Sequence, residues 1–166
     1  MMLGLSISAF TTLHVVISLI GIATGLVVLR AMLGGRHLGS LTAAFLGSTV
    51  LTSVTGFMFP FNQLLPSHIV GLISLAVLVL ALVALYGKGL SGGWRTVYVI
   101  TATVALYLNV FVGVVQAFQK FGVLHALAPT QAEAPFIVAQ LAVLALFAVF
   151  GYLAVKRYHP ALSATA

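Results

Sequence analysis

Five long apolar stretches, each almost without charge, constrain this chain more than any other feature. They run over about 8–33, 41–59, 67–86, 94–120 and 135–158. About 20 apolar residues in helical form cross the ~30 Å hydrocarbon layer of a bilayer. A helix suits that medium because it satisfies every backbone N–H and C=O within its own segment. The composition points the same way: of 166 residues, 62% are hydrophobic and 5% are charged, and the mean hydropathy is +1.24. A soluble domain carries about 25% charged residues. The expected fold is therefore an all-α membrane protein, a single bundle of five transmembrane helices with loops too short for a soluble domain.

Punctuation between the stretches is consistent with this. Gly34-Gly35-Arg36 stops the first helix, Ser40 is a candidate N-cap for the second, and Pro60 halts it. The third opens at Ser67 after Pro66 and ends before Gly87-Lys88-Gly89, and Lys156, Arg157 and Pro160 close the last. Met1 to Ala9 lacks Lys and Arg, and the apolar stretch outruns the ~7–15-residue core of a signal peptide. It is expected to be a retained helix. Pro129-Thr130-Gln131-Ala132-Glu133 has the form of a capping box before the fifth helix.

Orientation follows from the cations. Arg30, Arg36, Lys88, Arg95, Lys156 and Arg157 fall at one side of the expected bundle, and of the seven Lys and Arg residues only Lys120 falls at the other. The positive-inside rule makes the rich side cytoplasmic, with the N-terminus outside and the C-terminus in the cytoplasm of a bacterial inner membrane. The same scatter of single cations argues against nucleic acid as a partner, despite a net charge of +6. Cysteine is absent, which excludes thiolate metal sites, iron–sulfur clusters and dithiol chemistry. Glu133 is the sole acid, so no pair of carboxylates is available for acid–base catalysis.

Polar side chains inside hydrocarbon are costly and face a bundle interior, a cavity or one another. Thr11, His14, Ser18, Gly21 and Gly25 follow steps of three and four and form one stripe. Its GxxxG part, Gly21 to Gly25, permits close helix packing, within the bundle or between protomers. Tyr98, Asn109, Gln116 and Lys120 share a face of the fourth helix, and Glu133, Gln140, Phe147 and Gly151 one of the fifth. Ser48, Thr52, Thr55 and Gly56 mark the second. With the expected topology, His14 lies about 10 Å below the outer surface at 1.5 Å per residue, near Gln116, Gln140, His68 and His125. A site in the outer half is expected. Phe57 to Gln63, together with Trp94, Tyr98, Tyr107 and Tyr158, suits interfacial anchoring, the commoner use of such aromatics, with the mouth of a pocket as the alternative for the first segment.

Several chemistries fit those residues. His14 and His68 could ligate a haem b, although only Lys120 is there to meet its propionates. His14, His68 and His125, with Met58, offer ligands for copper or zinc without a diagnostic spacing. A quinone or similar amphipathic molecule could hydrogen-bond His14, Gln116 or Gln140, with Thr11 and Asn109 on the same faces. The bland alternative is that Asn109, Gln116 and Gln140 join helices to one another.

The segments Thr11-Thr-Leu-His14, Ser53 to Gly71 (SVTGFMFPFNQLLPSHIVG), Leu106 to Phe118 (LYLNVFVGVVQAF) and His125 to Phe136 (HALAPTQAEAPF) resemble a family of small uncharacterised bacterial membrane proteins. The resemblance spans nearly the whole chain and implies a polytopic bacterial membrane protein, with no activity to carry over. The expected function is binding of a small redox cofactor or quinone-like ligand in an electron-transfer context. The alternatives are a small-solute transporter or channel, and a non-catalytic accessory subunit whose stripes hold helices, a second copy or a membrane-complex partner. The absence of an internal repeat weighs against a transporter.

Overall fold

The computed structural model describes residues 6–59 and 66–160, and over them the chain is helical, with no strand. The helices are α1 (Ile7–Leu33), α2 (Gly39–Gly56), α3 (Pro66–Leu82), α4 (Trp94–Lys120), α5 (Gly122–Leu127) and α6 (Ala134–Arg157). The last turn of α3 widens into a π-helical turn, Val83–Gly87. Among the described residues, four helices are long and apolar enough to cross a membrane: α1, α3 with its π turn, α4 and α6. This is a multi-pass membrane protein. The other long helix, α2, falls short on composition, because Ser and Thr recur along its 18 residues. Their hydroxyls are largely neutralised within the helix: Ser48 donates to the carbonyl of Ala44 at 2.6 Å, Thr49 to Phe45 at 2.8 Å and Ser53 to Thr49 at 3.0 Å.

The ends of the helices follow local chemistry, with some departures from expectation. Ser6 caps α1 by accepting from the Ala9 N–H at 3.2 Å. At the other end Gly35 adopts φ +71°, and the N–H groups of Gly35 and Arg36 bond back to the carbonyls of Met32 and Ala31 at 3.0 and 2.9 Å. That is a Schellman stop, which needs a residue without a Cβ penalty at positive φ. Ser40 is not the N-cap of α2; Leu38 holds that place with no side-chain bond. α2 ends at Gly56 rather than Phe59, and Pro60, along with the rest of the Phe57 to Gln63 segment beyond Phe59, lies outside the described residues. The expected capping box is also revised. Helix α6 starts only at Ala134, with Glu133 as its N-cap. The Glu133 carboxylate turns back to accept from the Thr130 N–H and hydroxyl and the Ala132 N–H, at 3.2, 2.8 and 3.1 Å. Desolvation opposes ionisation there, but these donors outweigh it and hold the carboxyl below its usual range.

Helix α4 is the centre of the bundle, packing on α1, α2, α3 and α6 and far more deeply buried than α6. Small residues let α1 approach it. A Cβ on Gly25 would lie 2.5 Å from Leu106 of α4 and 2.8 Å from Phe45 of α2. A Cβ on Gly21 would crowd Ser48, Thr49 and Asn109 at 3.2–3.3 Å. The glycine face therefore packs inside the bundle. Helix α6 lays Gln140, Phe147 and Ala154 on α4, with Gly151 against Thr103.

One end gathers the cations. Arg95 donates to the carbonyls of Val155 and Tyr158 at 3.0 and 2.7 Å, which satisfies the last turn of α6 with a positive charge. His37 meets the Tyr158 hydroxyl at 2.8 Å beside that turn. Tyr98 and Tyr158 are not interfacial anchors but fully buried core residues, their rings 5.9 Å apart.

Candidate functional site

The opposite end, where Lys120 is the lone basic residue, contains a cavity of about 620 Å³ between α1, α2, α3 and α4. Helical spacing creates its walls. Thr11, His14, Ser18 and Ile22 line it from α1, and Asn109, Gly113, Gln116 and Lys120 from α4. Both sets cover eleven residue steps, so the cavity runs for about 16 Å along the helices at 1.5 Å per residue. The wall is mostly apolar, with polar groups placed singly.

His14 is the best-defined of these. Its Nδ1 lies 2.8 Å from the Thr55 hydroxyl of α2. The ring stands edge-on to Phe59 at 5.3 Å, and Phe59 in turn packs on Phe10 at 5.1 Å. His68, at the start of α3, is buried and stacks at a tilt on Phe57, 5.7 Å away. Gly71 makes room for that phenyl ring, which a Cβ would approach to 3.0 Å. Between these aromatics, the Ser53 and Ser74 hydroxyls meet at 3.2 Å and join α2 to α3. Asn109 donates to Thr49 at 3.2 Å, so it both lines the cavity and ties α4 to α2. The Thr52 hydroxyl, also in the wall, is buried without a partner among the described residues.

The electrostatics are one-sided. Lys120 and two histidines line the cavity, and no acid does, since the chain's sole carboxylate is held in the Thr130–Glu133 turn. The arrangement offers hydrogen-bond donors and acceptors to a small polar head, and a long apolar wall to its body.

Of the residues expected to form a site, Thr11, His14, His68, Asn109 and Gln116 come together around this cavity. Gln140 does not. It lies on the far face of α4, where its amide donates to the carbonyl of Phe111 at 3.2 Å, the helix-joining role. Its Oε1 is buried without a partner among the described residues. His125 stands exposed on α5 and is not in the wall. Among the described residues no three histidine or acidic side chains approach closely enough to hold a metal ion. The expected triad of His14, His68 and His125 is therefore not assembled, because α5 carries His125 away from the helices that hold the other two.

Thr55 bonds His14 but was not expected as a site residue, whereas Phe57 and Phe59 line the cavity, as the pocket-mouth reading of their segment expects. Thr55 was legible as part of the α2 stripe; what the stripe lacked was the identity of the helix it faces. Comparison with protein-family models, with curated proteins and with solved structures finds no match for this chain.

Proposed function

We propose that this protein crosses a bacterial inner membrane five times, with the cation-rich end in the cytoplasm, and holds a small amphipathic ligand of the quinone type in the cavity at its outer end, in an electron-transfer context. The observation that carries the reading is the convergence of His14, His68, Asn109 and Gln116 on one apolar cavity of about 620 Å³. That size falls in the ~300–1,000 Å³ range of ligand sites, whose walls are apolar with few polar groups. The five-span count is supported by α2 itself. It leaves the turn at residues 34–38, beside Tyr158 of the cation-rich end, and its Thr55 reaches His14 near the other end. A helix of 18 residues that packs along α1 from its C-terminal end as far as His14 covers about 27 Å at 1.5 Å per residue, close to the ~30 Å hydrocarbon layer.

The test is binding of a decyl-substituted benzoquinone, in oxidised and reduced forms, to the detergent-purified protein, followed by fluorescence of the protein and by its ultraviolet–visible spectrum. Saturable binding is expected, lost in His14→Phe while the helical circular dichroism is retained. A Soret band on the purified protein would replace the quinone by haem, and lack of saturable binding would remove the reading.

One observation favours a second reading, that of an accessory subunit. Gln140 and Gln131 donate to the carbonyls of Phe111 and Val115 at 3.2 and 3.0 Å, so part of the polar inventory serves only to join α6 and its preceding loop to α4. In that case His14→Phe lowers stability, by about 1–3 kcal/mol for an unsatisfied buried partner, and no quinone binds to either protein.

A further inference from the structure

The structure assigns a single tautomer to His14, with the proton on Nδ1, and we infer that the cavity selects a ligand whose polar head donates a hydrogen bond to the free Nε2. This rests on the quinone-type reading above and specifies which redox form is held: the quinol, with its hydroxyl groups, rather than the quinone, which has only acceptors.

The argument is a count of protons. A threonine hydroxyl has one hydrogen to donate and lone pairs to accept with. Thr55 Oγ1 lies 2.7 Å from the carbonyl of Leu51 and 3.2 Å from that of Thr52, both on its own helix. Carbonyls cannot donate, so the hydroxyl hydrogen is committed to them. The 2.8 Å contact between Thr55 Oγ1 and His14 Nδ1 must then take its hydrogen from the imidazole. In a neutral ring, a proton on Nδ1 leaves Nε2 as a lone-pair acceptor, and the partner of one nitrogen sets the role of the other. Nε2 has no partner among the described residues and is not sealed in the interior, so it opens to the cavity that His14 lines.

Membrane surroundings make this choice consequential. In hydrocarbon an acceptor without a donor loses its hydrogen bond with no water to replace it. A ligand hydroxyl supplies that donor; a quinone carbonyl sets one lone pair against another. Of the site's other polar groups, the Gln116 amide and the Lys120 ammonium can donate to an oxygen of either form; His14 adds the preference for a donor.

Two measurements test the proposal. The first is the ¹⁵N spectrum of histidine-labelled protein at neutral pH, with His14 identified by its loss in His14→Phe. Nδ1 is expected at the protonated position and Nε2 at the unprotonated one, and Thr55→Val should shift the ring toward the opposite tautomer while Thr55→Ser retains it. The second is the binding of decyl benzoquinol, its dimethyl ether and the parent quinone. The quinol is expected to bind about tenfold tighter than the other two, the effect of one neutral hydrogen bond. Thr55→Val should erase that preference and Thr55→Ser keep it. A protonated Nε2 in the wild type would overturn the tautomer assignment. Equal binding of all three probes would overturn the selection of a donor while leaving the quinone-type site in place. Binding of none would overturn that site, and the selection with it, whatever the tautomer.

Discussion

At the scale of single residues, the two ends of the molecule use histidine differently. His14 sits among helices and opens to a cavity, whereas His37 lies in the turn between α1 and α2, its Nδ1 2.8 Å from the Tyr158 hydroxyl. Burial lowers the pKa of His37 and raises that of Tyr158, so the pair is a neutral imidazole facing an intact phenol. A proton binds His37 more weakly in the fold than in the unfolded chain. Its contribution to stability is complete above the ordinary value of about 6.5 and is lost as pH falls through the lowered folded value. Thermal stability in detergent is therefore expected to decline between pH 7.5 and 5, with a shallower decline in His37→Gln. Identical slopes for the two proteins would show that His37 does not titrate in this way. Sequence reasoning put Tyr158 at the membrane surface, where aromatics commonly lie. It could not see that the turn after α1 and the end of α6 meet.

At the scale of helices, packing turns on small residues. Gly25 faces Leu106 and Phe45, both about 1% exposed, at distances no real Cβ could occupy. Gly25→Ala must displace one of two well-packed side chains, at a cost of about 1–3 kcal/mol for overpacking. Gly47, on the exposed face of α2, has no atom within 4 Å of where its Cβ would lie. Gly47→Ala should be neutral or slightly stabilising, since alanine is the better helix former. Thermal melting of the two variants checks the pair of expectations; equal melting temperatures would mean that the α1 face tolerates the methyl group by shifting. The GxxxG spacing was plain in the sequence, and so was the stripe Glu133, Gln140, Phe147, Gly151. Which helix each stripe meets was not, because a period of 3.6 fixes a face and says nothing about its partner.

Across the whole molecule, polarity is distributed by end. Arg95 and the C-terminal turn of α6 lie together at the cation-rich end, and His14, His68 and Lys120 line the cavity at the other. A reporter fused after Ala166 is expected to be active only in a form that works in the cytoplasm. A tag inserted in the segment from Leu124 to Gln131 should react with an impermeant reagent added outside. A C-terminal reporter active in the periplasm would invert the proposed sidedness and place the cavity at the inner face. Four crossings instead of five would put both chain ends on one side, so the same fusion series, extended to residue 6, also tests whether α2 crosses.

What the sequence determined on its own is what each residue's solvent dictates. Apolar length and the lack of charge made the protein a multi-pass helical one, because unsatisfied backbone and ionised side chains are both untenable in hydrocarbon. Positions of glycine, proline and cations placed the ends of the long helices to within a few residues, α2 included, and missed only the short α5. The tertiary structure alone decided how the stripes pair. It brought Thr55 to His14 and Phe57 to His68, sent Gln140 to the far face of α4, and left His125 outside the bundle. The reason is physical: hydropathy acts on each segment separately, whereas a site depends on the rotation and height at which separate helices meet, and those are set by contacts between residues far apart in the chain.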